Sequence, residues 1–179
     1  MSLIQIDNMP NANELWKGIG GYFDSLGEIL CEFIDNSISN FIGNPSIANN
    51  SIMIKFKEQG DYVYVSVADS GTGIKNLSAA FTLGSHAGAE SLLNEHGFGF
   101  KHALASANPD NNSWLIKTCT EEDSKIGQYK EIKAPYLLTN FSADIVQESF
   151  DSGLGNTGTI VEFTCTKEMF RTIRRGLSG

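Results

Sequence analysis

The chain has 179 residues, a hydrophobic fraction of 41% and a formal net charge of −8. This length fits one domain with a hydrophobic core of its own, and the negative charge argues against a surface devoted to nucleic-acid phosphates. Three scattered cysteines without a C-x-x-C pair make a disulfide framework or a zinc site unexpected. No run of apolar residues reaches the length of a membrane span, so we expect a soluble, cytoplasmic protein without a membrane partner.

Two helices are predicted in the N-terminal part of the chain. The first covers residues 13–22. The second covers residues 24–41, where apolar side chains recur at helical spacing and form one wide stripe. The other side of this second helix carries carboxylates, among them Glu32 and Asp35. It therefore has one face for a core and one acidic, polar edge.

Strands dominate the rest of the chain. Residues 51–57 and 61–68 alternate apolar and polar side chains, which predicts the two strands of a hairpin. A glycine-rich stretch follows Asp69 and leads into a helix predicted for residues 99–106. Further strands are predicted at residues 113–119, 126–132, 143–147 and 159–165, and a short helix follows from Lys167. Helices and strands in this order indicate an α+β domain rather than repeated β-α-β units.

Glu32 and Asn36 form the first candidate motif. On a helix they share one face, with Asp35 beside them. Asn36 could offer its side-chain oxygen to Mg²⁺, which prefers oxygen ligands and keeps several waters. Glu32 could orient and deprotonate an attacking water. The polar edge of an ordinary amphipathic helix is the other explanation of these residues.

The second candidate motif, Asp69-Ser-Gly71-Thr-Gly73, comes directly after a predicted strand. A carboxylate at the end of a strand could accept a hydrogen bond from the amino group of adenine, while the glycines allow the backbone to approach the base closely. A glycine-rich turn capped by the aspartate is the alternative explanation.

The third candidate motif is Gly97-Phe98-Gly99-Phe100-Lys101, which leads into a predicted helix. The free N–H groups at a helix N-terminus, with glycines before them, suit an anion such as a phosphate. Lys101 could add its charge to such a phosphate site or point to solvent, and the sequence does not decide between the two.

In this order, the three motifs resemble those of the GHKL superfamily (gyrase B, heat-shock chaperone, histidine kinase and MutL). Residues 32–36 resemble its N box, residues 69–73 its G1 box and residues 97–99 its G2 box. Thr159, at the head of the last predicted strand, resembles the threonine that helps to bind adenine in the gyrase and MutL branches. Residues 82–97 would be the ATP lid. The segments FTLGSHAG and GFGFKHALAS look closest to the MORC branch.

The resemblance implies a Bergerat-type fold over residues 1–179, an α+β two-layer sandwich with a mixed, mostly antiparallel sheet and helices on one face. It also implies Mg²⁺-dependent ATP binding and slow ATP hydrolysis, with ATP and Mg²⁺ as the cofactors. Glu32 would be the general base, Asn36 the Mg²⁺ ligand and Asp69 the group that recognises adenine. The residues expected around the nucleotide are Asn36, Asp69, Gly71, Gly73, Ile74, Gly84, Ser85, Gly97, Phe98, Gly99, Phe100, Lys101 and Thr159.

The chain departs from the family's pattern in two places. Ser39 stands where gyrase-like N boxes usually have an aspartate, which puts part of the hydrogen bonding around Asn36 in question. The transducer domain, whose lysine reaches the γ-phosphate in gyrase, MutL and MORC proteins, does not follow the last predicted strand. We therefore expect either a fragment of a longer protein or a minimal module.

Two other functions stay open within the same resemblance. One is a histidine-kinase-type phosphotransfer domain, although such kinases usually have an asparagine where this chain has Glu32. The other is a nucleotide-gated module that binds ATP without hydrolysing it. Such a module could form an ATP-dependent homodimer, or it could bind an unknown protein or DNA partner through regions outside this sequence.

Overall fold

The computed structural model describes residues 10–47, 49–82 and 99–177, with side chains up to residue 173. Within these ranges the helices are α1 (Ala12–Gly20), α2 (Leu26–Gly43), α3 (Leu77–Phe81), α4 (Gly99–Ala107), α5 (Glu121–Lys125) and α6 (Lys167–Leu177). The strands are β1 (Ile52–Gln59), β2 (Tyr62–Asp69), β3 (Trp114–Cys119), β4 (Tyr129–Lys133), β5 (Asp144–Val146) and β6 (Gly158–Thr166).

The strands form one sheet in the order β1-β2-β6-β3-β4-β5. All pairings between the described strands are antiparallel, so the sheet is more uniform than the mixed sheet that the resemblance implies. β1 and β2 form the predicted hairpin. The last strand, β6, lies between β2 and β3 and pairs with both. This arrangement places the end of β2 beside the beginning of β6, where the N–H of Thr159 donates to the carboxylate of Asp69.

Helices cover one face of the sheet, as predicted. α2, α4 and α6 contact the sheet, and α1 packs on α4. Because successive side chains of a strand point to opposite faces, the buried Val63, Val65 and Val67 of β2 all join the core beneath these helices. The opposite face carries a smaller apolar cluster, in which Ala68 packs with Phe150.

The long helix α2 positions most of the polar side chains discussed below. It begins at Leu26 because Ser25 accepts a hydrogen bond from the N–H of Glu28, while the Glu28 carboxylate accepts from the N–H of Ser25. Such a capping box satisfies N–H groups that have no partner within the helix. The helix is anchored by buried apolar residues on its inner face, namely Leu26, Ile29, Leu30, Phe33 and Phe41.

A stack of aromatic rings lies at the centre of the core. The ring of Trp16 is 5.6 Å from that of Trp114 and 5.3 Å from that of Tyr136. Each indole N–H has an acceptor, since Trp16 donates to the carbonyl of Asn108 at 2.8 Å and Trp114 donates to the side chain of Asn111 at 3.1 Å. The stack joins α1 to β3 and to the loop after β4, and thereby fixes the N-terminal helix to the sheet.

The sequence does not predict the short helices α3 and α5. Asn76 caps α3 by accepting from the N–H of Ala79, and Thr120 and Asp123 form a reciprocal capping box on α5. Both helices have five residues, too few for a hydrophobic period to be visible, so capping residues are their main signal in the sequence. Among the described residues, no helix combines the length and the apolar character that crossing a membrane requires.

Candidate functional site

A cavity of about 330 Å³ opens between α2, α3, the beginning of α4 and the ends of β2 and β6. This volume lies at the lower end of the range of small-molecule sites. Six of the residues predicted around a nucleotide line it, namely Asn36, Asp69, Gly73, Ile74, Phe100 and Thr159. The remaining lining residues are Phe33, Ser37, Asn40, Val67, Asn76, Ala79, Ala80 and Val161.

Asp69 is held in the cavity wall by three hydrogen bonds. Its Oδ2 accepts from the hydroxyl of Ser37 at 3.0 Å. Its Oδ1 accepts from the N–H of Gly71 at 2.8 Å and from the N–H of Thr159 at 3.2 Å. Burial raises the pKa of this carboxyl, and the three hydrogen bonds oppose that shift. The carboxylate is therefore a fixed acceptor in the cavity wall.

Gly73 allows the loop after β2 to run against β3. Its φ is +71°, a conformation that glycine adopts without penalty. A Cβ at this position would collide with the carbonyl oxygen of Cys119. The next residue is held in the same place, because the N–H of Ile74 donates to the hydroxyl of Thr118 at 2.7 Å. That hydroxyl also lies 3.2 Å from the hydroxyl of Thr159, so a pair of threonines connects the loop to β3 and β6.

The predicted base and cation ligand are in direct contact. The side-chain amide of Asn36 donates to the backbone carbonyl of Glu32 at 2.7 Å and to its carboxylate at 3.2 Å. These two bonds orient the amide, and its oxygen, Oδ1, is the atom of the kind that binds a cation. The carboxylate of Glu32 also packs against Gly99, where a Cβ would collide with it. The first motif and the last glycine of the third motif are therefore adjacent.

Burial raises the pKa of Glu32, and the negative charge of Asp35 raises it further, whereas the hydrogen bond from Asn36 lowers it. A carboxylate with a raised pKa is a better proton acceptor near neutral pH than an ordinary one. Glu32 itself does not line the cavity. No group of three or more His, Cys, Asp or Glu side chains in the described part of the chain could hold a metal ion.

Lys101 does not point to solvent, so that alternative is wrong. The side chain is buried, and its ammonium group donates to the carbonyl oxygens of Ala80 at 3.1 Å and Thr82 at 2.7 Å. These carbonyls lie at the C-terminal end of α3, where backbone oxygens lack partners within the helix. Burial lowers the pKa of Lys101. A role of this lysine at a phosphate stays a prediction.

The other predicted residues are only partly described. Gly71 is buried in the loop after β2, and Gly99 begins α4. Phe100 lies with its ring 5.7 Å from that of Phe33. Outside the described residues lie Gly84, Ser85, Gly97 and Phe98, together with the predicted lid apart from Thr82.

Four polar residues at or beside the cavity are missing from the sequence-based prediction, namely Ser37, Asn40, Asn76 and Thr118. Asn40 lies one helical turn after Asn36 on α2, so helical spacing could have suggested it, whereas Ser37 is buried. The signal for Thr118 is not local. Its hydroxyl becomes part of the site because β3 pairs with β6, which the sequence does not reveal.

No protein-family model matches the chain, and neither does any curated protein sequence. Among solved structures, the chain is similar to the 43K ATPase domain of Thermus thermophilus gyrase B, crystallised in complex with an aminocoumarin. The TM-score is 0.53 at 18% sequence identity, and the match covers 89% of this chain and 42% of that one. The chain thus spans less than half the length of the gyrase B structure. The predicted α+β fold, with helices on one face of an antiparallel sheet, is confirmed, and this chain has the fold of that ATPase domain.

Proposed function

We propose that this domain binds ATP with Mg²⁺ in the cavity beside Asp69 and hydrolyses it slowly. The carboxylate of Asp69 carries the proposal. An ionised carboxylate offers about four acceptor positions, and the described residues fill three of them. The remaining position, on Oδ2, suits the amino group of adenine. The fold shared with an ATPase domain supports the same function.

The walls of the cavity suit a flat base. Phe33, Val67, Ile74 and Val161 supply apolar side chains around Asp69, and Gly73 permits close approach of the backbone. The hydroxyl of Thr159, which borders the cavity, can donate to or accept from a ring nitrogen. A purine with an amino group would therefore find an acceptor, a hydroxyl and an apolar surface together.

The phosphates would extend from the base toward Asn36 and the beginning of α4. Asn36 would hold Mg²⁺, which when bound neutralises charge on the phosphate oxygens. Backbone N–H groups near Gly97 and Gly99 would bind phosphates. Glu32 would accept the proton of the attacking water, since burial raises the pKa of its carboxyl.

A nucleotide-gated module without turnover is the second candidate. It is favoured by the placement of Glu32, whose carboxylate contacts Asn36 and Gly99 but does not line the cavity. In either case residues 82–97 would act as an ATP lid that couples nucleotide state to conformation. We also propose that the domain forms an ATP-dependent homodimer, or that it acts on a protein or DNA partner through regions outside this sequence. Kinship with the MORC branch is part of the same proposal.

The decisive experiment removes the acceptor. Asp69→Ala leaves the adenine amino group without its partner, which costs roughly 1–3 kcal/mol, so calorimetry should show ATP affinity falling about tenfold or more. The matched control is Asp110→Ala, because Asp110 is exposed and does not line the cavity. GTP should bind poorly to the parent protein, since guanine has a carbonyl where adenine has an amino group. Unchanged ATP affinity in Asp69→Ala would refute the proposed site.

A further inference from the structure

Asn40 connects α2 to the loop that carries Asp69 and Gly73. Its Oδ1 accepts from the N–H of Thr72 at 2.9 Å, and its Nδ2 donates to the hydroxyl of Thr72 at 2.9 Å. Both ends of one amide are thus bonded to one residue. Because a backbone N–H can only donate, the first bond also fixes which end of the amide is the oxygen.

Asn40 not only forms two hydrogen bonds with Thr72 but also lies very close to the backbone of the loop. A Cβ at Gly71 would collide with Oδ1 of Asn40 and would lie 2.9 Å from Oδ1 of Asp69. The loop therefore lies against the amide at Gly71, which has no side chain. A larger residue at position 71 would have to displace the amide of Asn40 or the loop itself.

Hydrogen bonds fix the loop between β2 and α3 at several places, beginning with Ser70, whose N–H donates to the carbonyl of Ser51. At its start, the N–H of Gly71 donates to Asp69. At its end, the N–H of Ile74 donates to Thr118. In the middle, Thr72 is held by Asn40, which lies on a different element and also borders the cavity. Without this middle attachment the loop would be held to the sheet at its two ends but not to α2.

We propose that Asn40 is a positioning residue for base recognition, which it serves by holding Thr72 and thereby setting the width of the base site between α2 and the loop. This inference rests on the proposed nucleotide function. Asn40 lies one helical turn after Asn36. The same rigid helix would therefore position both the cation at one end of the ligand and the base at the other. Asn40 need not touch the nucleotide for this role.

If Asn40 only stabilised α2, removing another hydrogen bond of that helix should have the same effect on ligand binding. Asn44, one turn further along α2, donates its side-chain amide to the carbonyl of Asn40 at 2.8 Å at the end of the helix. Asn44→Ala therefore removes an amide hydrogen bond from the same helix without touching the loop. It is the matched control for any general loosening of α2.

The test compares ligands that have a base with one that has none. Binding of ATP, adenosine and magnesium tripolyphosphate is measured by calorimetry on the parent, Asn40→Ala and Asn44→Ala proteins. We expect Asn40→Ala to raise the dissociation constants of ATP and adenosine about tenfold and that of tripolyphosphate less than twofold. Asn44→Ala should leave all three within about twofold of the parent.

Two further variants guard against misfolding. Thr72→Val keeps the N–H bond to Asn40 and loses the hydroxyl bond, so it should show a smaller loss of the same ligand pattern. Asn40→Asp keeps an acceptor for both donors of Thr72 and should recover most of the adenosine affinity that Asn40→Ala loses. If all three ligands weaken equally in Asn40→Ala, or if ATP and adenosine bind as in the parent, the positioning role is refuted. If the parent protein binds neither ATP nor adenosine, the proposed function itself fails.

Discussion

At the scale of single residues, Glu32 shows how the site and the stability of the fold oppose one another. Its carboxyl is half-buried, and burial raises its pKa above the ordinary value. The folded state therefore binds a proton more tightly there than the unfolded state does. The stabilising contribution of the protonated form is fully present below the unfolded pKa of about 4.3 and is lost as the pH rises through the folded pKa.

Glu32→Gln should consequently unfold at a higher temperature than the parent at pH 7, with the difference shrinking toward pH 4. The substitution removes a carboxylate charge that is costly to bury, and the amide keeps the shape of the side chain. If Glu32 is the general base, single-turnover hydrolysis should fall by about 10² or more while ATP affinity stays within a few-fold.

Thermal unfolding monitored by circular dichroism at several pH values checks the stability part, with the exposed Glu148→Gln as a control that should not move the transition. A lower melting temperature for Glu32→Gln at pH 7 would contradict the expected effect of burial. Equal, slow hydrolysis by parent and variant, with ATP bound to both, would favour the nucleotide-gated module.

The sequence predicts the residues of the site where the signal is local. Asp69 and Gly73 belong to one short motif, and the structure places both on the cavity wall. Lys101 is different, because its position follows from where α3 ends, and α3 is too short to be seen in the sequence. The threonine pair of Thr118 and Thr159 depends on strand pairing between distant segments, so its geometry could not be predicted.

At the scale of elements, the loop after β2 owes its shape to two glycines that serve different needs. Gly71 lets Asn40 approach, and Gly73 both takes a positive φ and avoids the carbonyl of Cys119. Gly60, in the β1–β2 turn, also has a positive φ of +56° but has open space where a Cβ would be. A side chain at Gly60 would meet only the cost of a positive φ, whereas one at Gly73 would meet that cost and a collision as well.

Gly73→Ala should lower the free energy of unfolding by more than Gly60→Ala does. A positive φ alone costs a non-glycine residue about 1–2 kcal/mol, and Gly73→Ala adds the collision with β3. Urea denaturation of the two variants gives the comparison directly. Gly73→Ala should also weaken ATP binding, whereas Gly60→Ala should not. Equal destabilisation by both substitutions would mean that the loop relaxes away from Cys119 at little cost.

Element boundaries follow from the sequence where capping and periodicity agree. The predicted second helix starts at residue 24, and the structure begins α2 at Leu26 because Ser25 and Glu28 form a capping box. The strands β1, β2, β3 and β6 begin and end within two residues of their predicted ranges. β4 begins three residues later than predicted, since the chain first forms α5 and a turn at Gly127 with φ of +68°.

At the scale of the whole molecule, the position of β6 governs how the sheet is assembled. β6 pairs with β2 on one side and β3 on the other, so it joins the β1–β2 hairpin to the β3–β4–β5 meander. The order of the strands could not be predicted from the sequence. Alternation identifies each strand, but only packing decides that the last one enters the middle of the sheet.

A chain that ends after residue 157 should therefore not fold. It keeps five strands in two separate groups, and the edges of β2 and β3 that face β6 have no partner. Circular dichroism and proton NMR should show loss of cooperative unfolding and of dispersed signals. A chain that ends after Thr166 is the control. It keeps the sheet and loses α6, so it should unfold cooperatively at a lower temperature. A folded chain without β6 would show that the helical layer alone organises the domain.

The stack of Trp16 on Trp114 also determines the intrinsic fluorescence of this protein. These are the two tryptophans of the chain, and because their rings are in contact, the indole emission comes from one buried point. Phe81 stacks on Trp114 at 6.4 Å, and its neighbour Ala80 lines the cavity. Phe100, which lines the cavity, lies 6.1 Å from Phe81, so a series of aromatic contacts leads from the cavity to the tryptophans. We therefore expect the tryptophan fluorescence of the unlabelled chain to change when a molecule occupies the cavity.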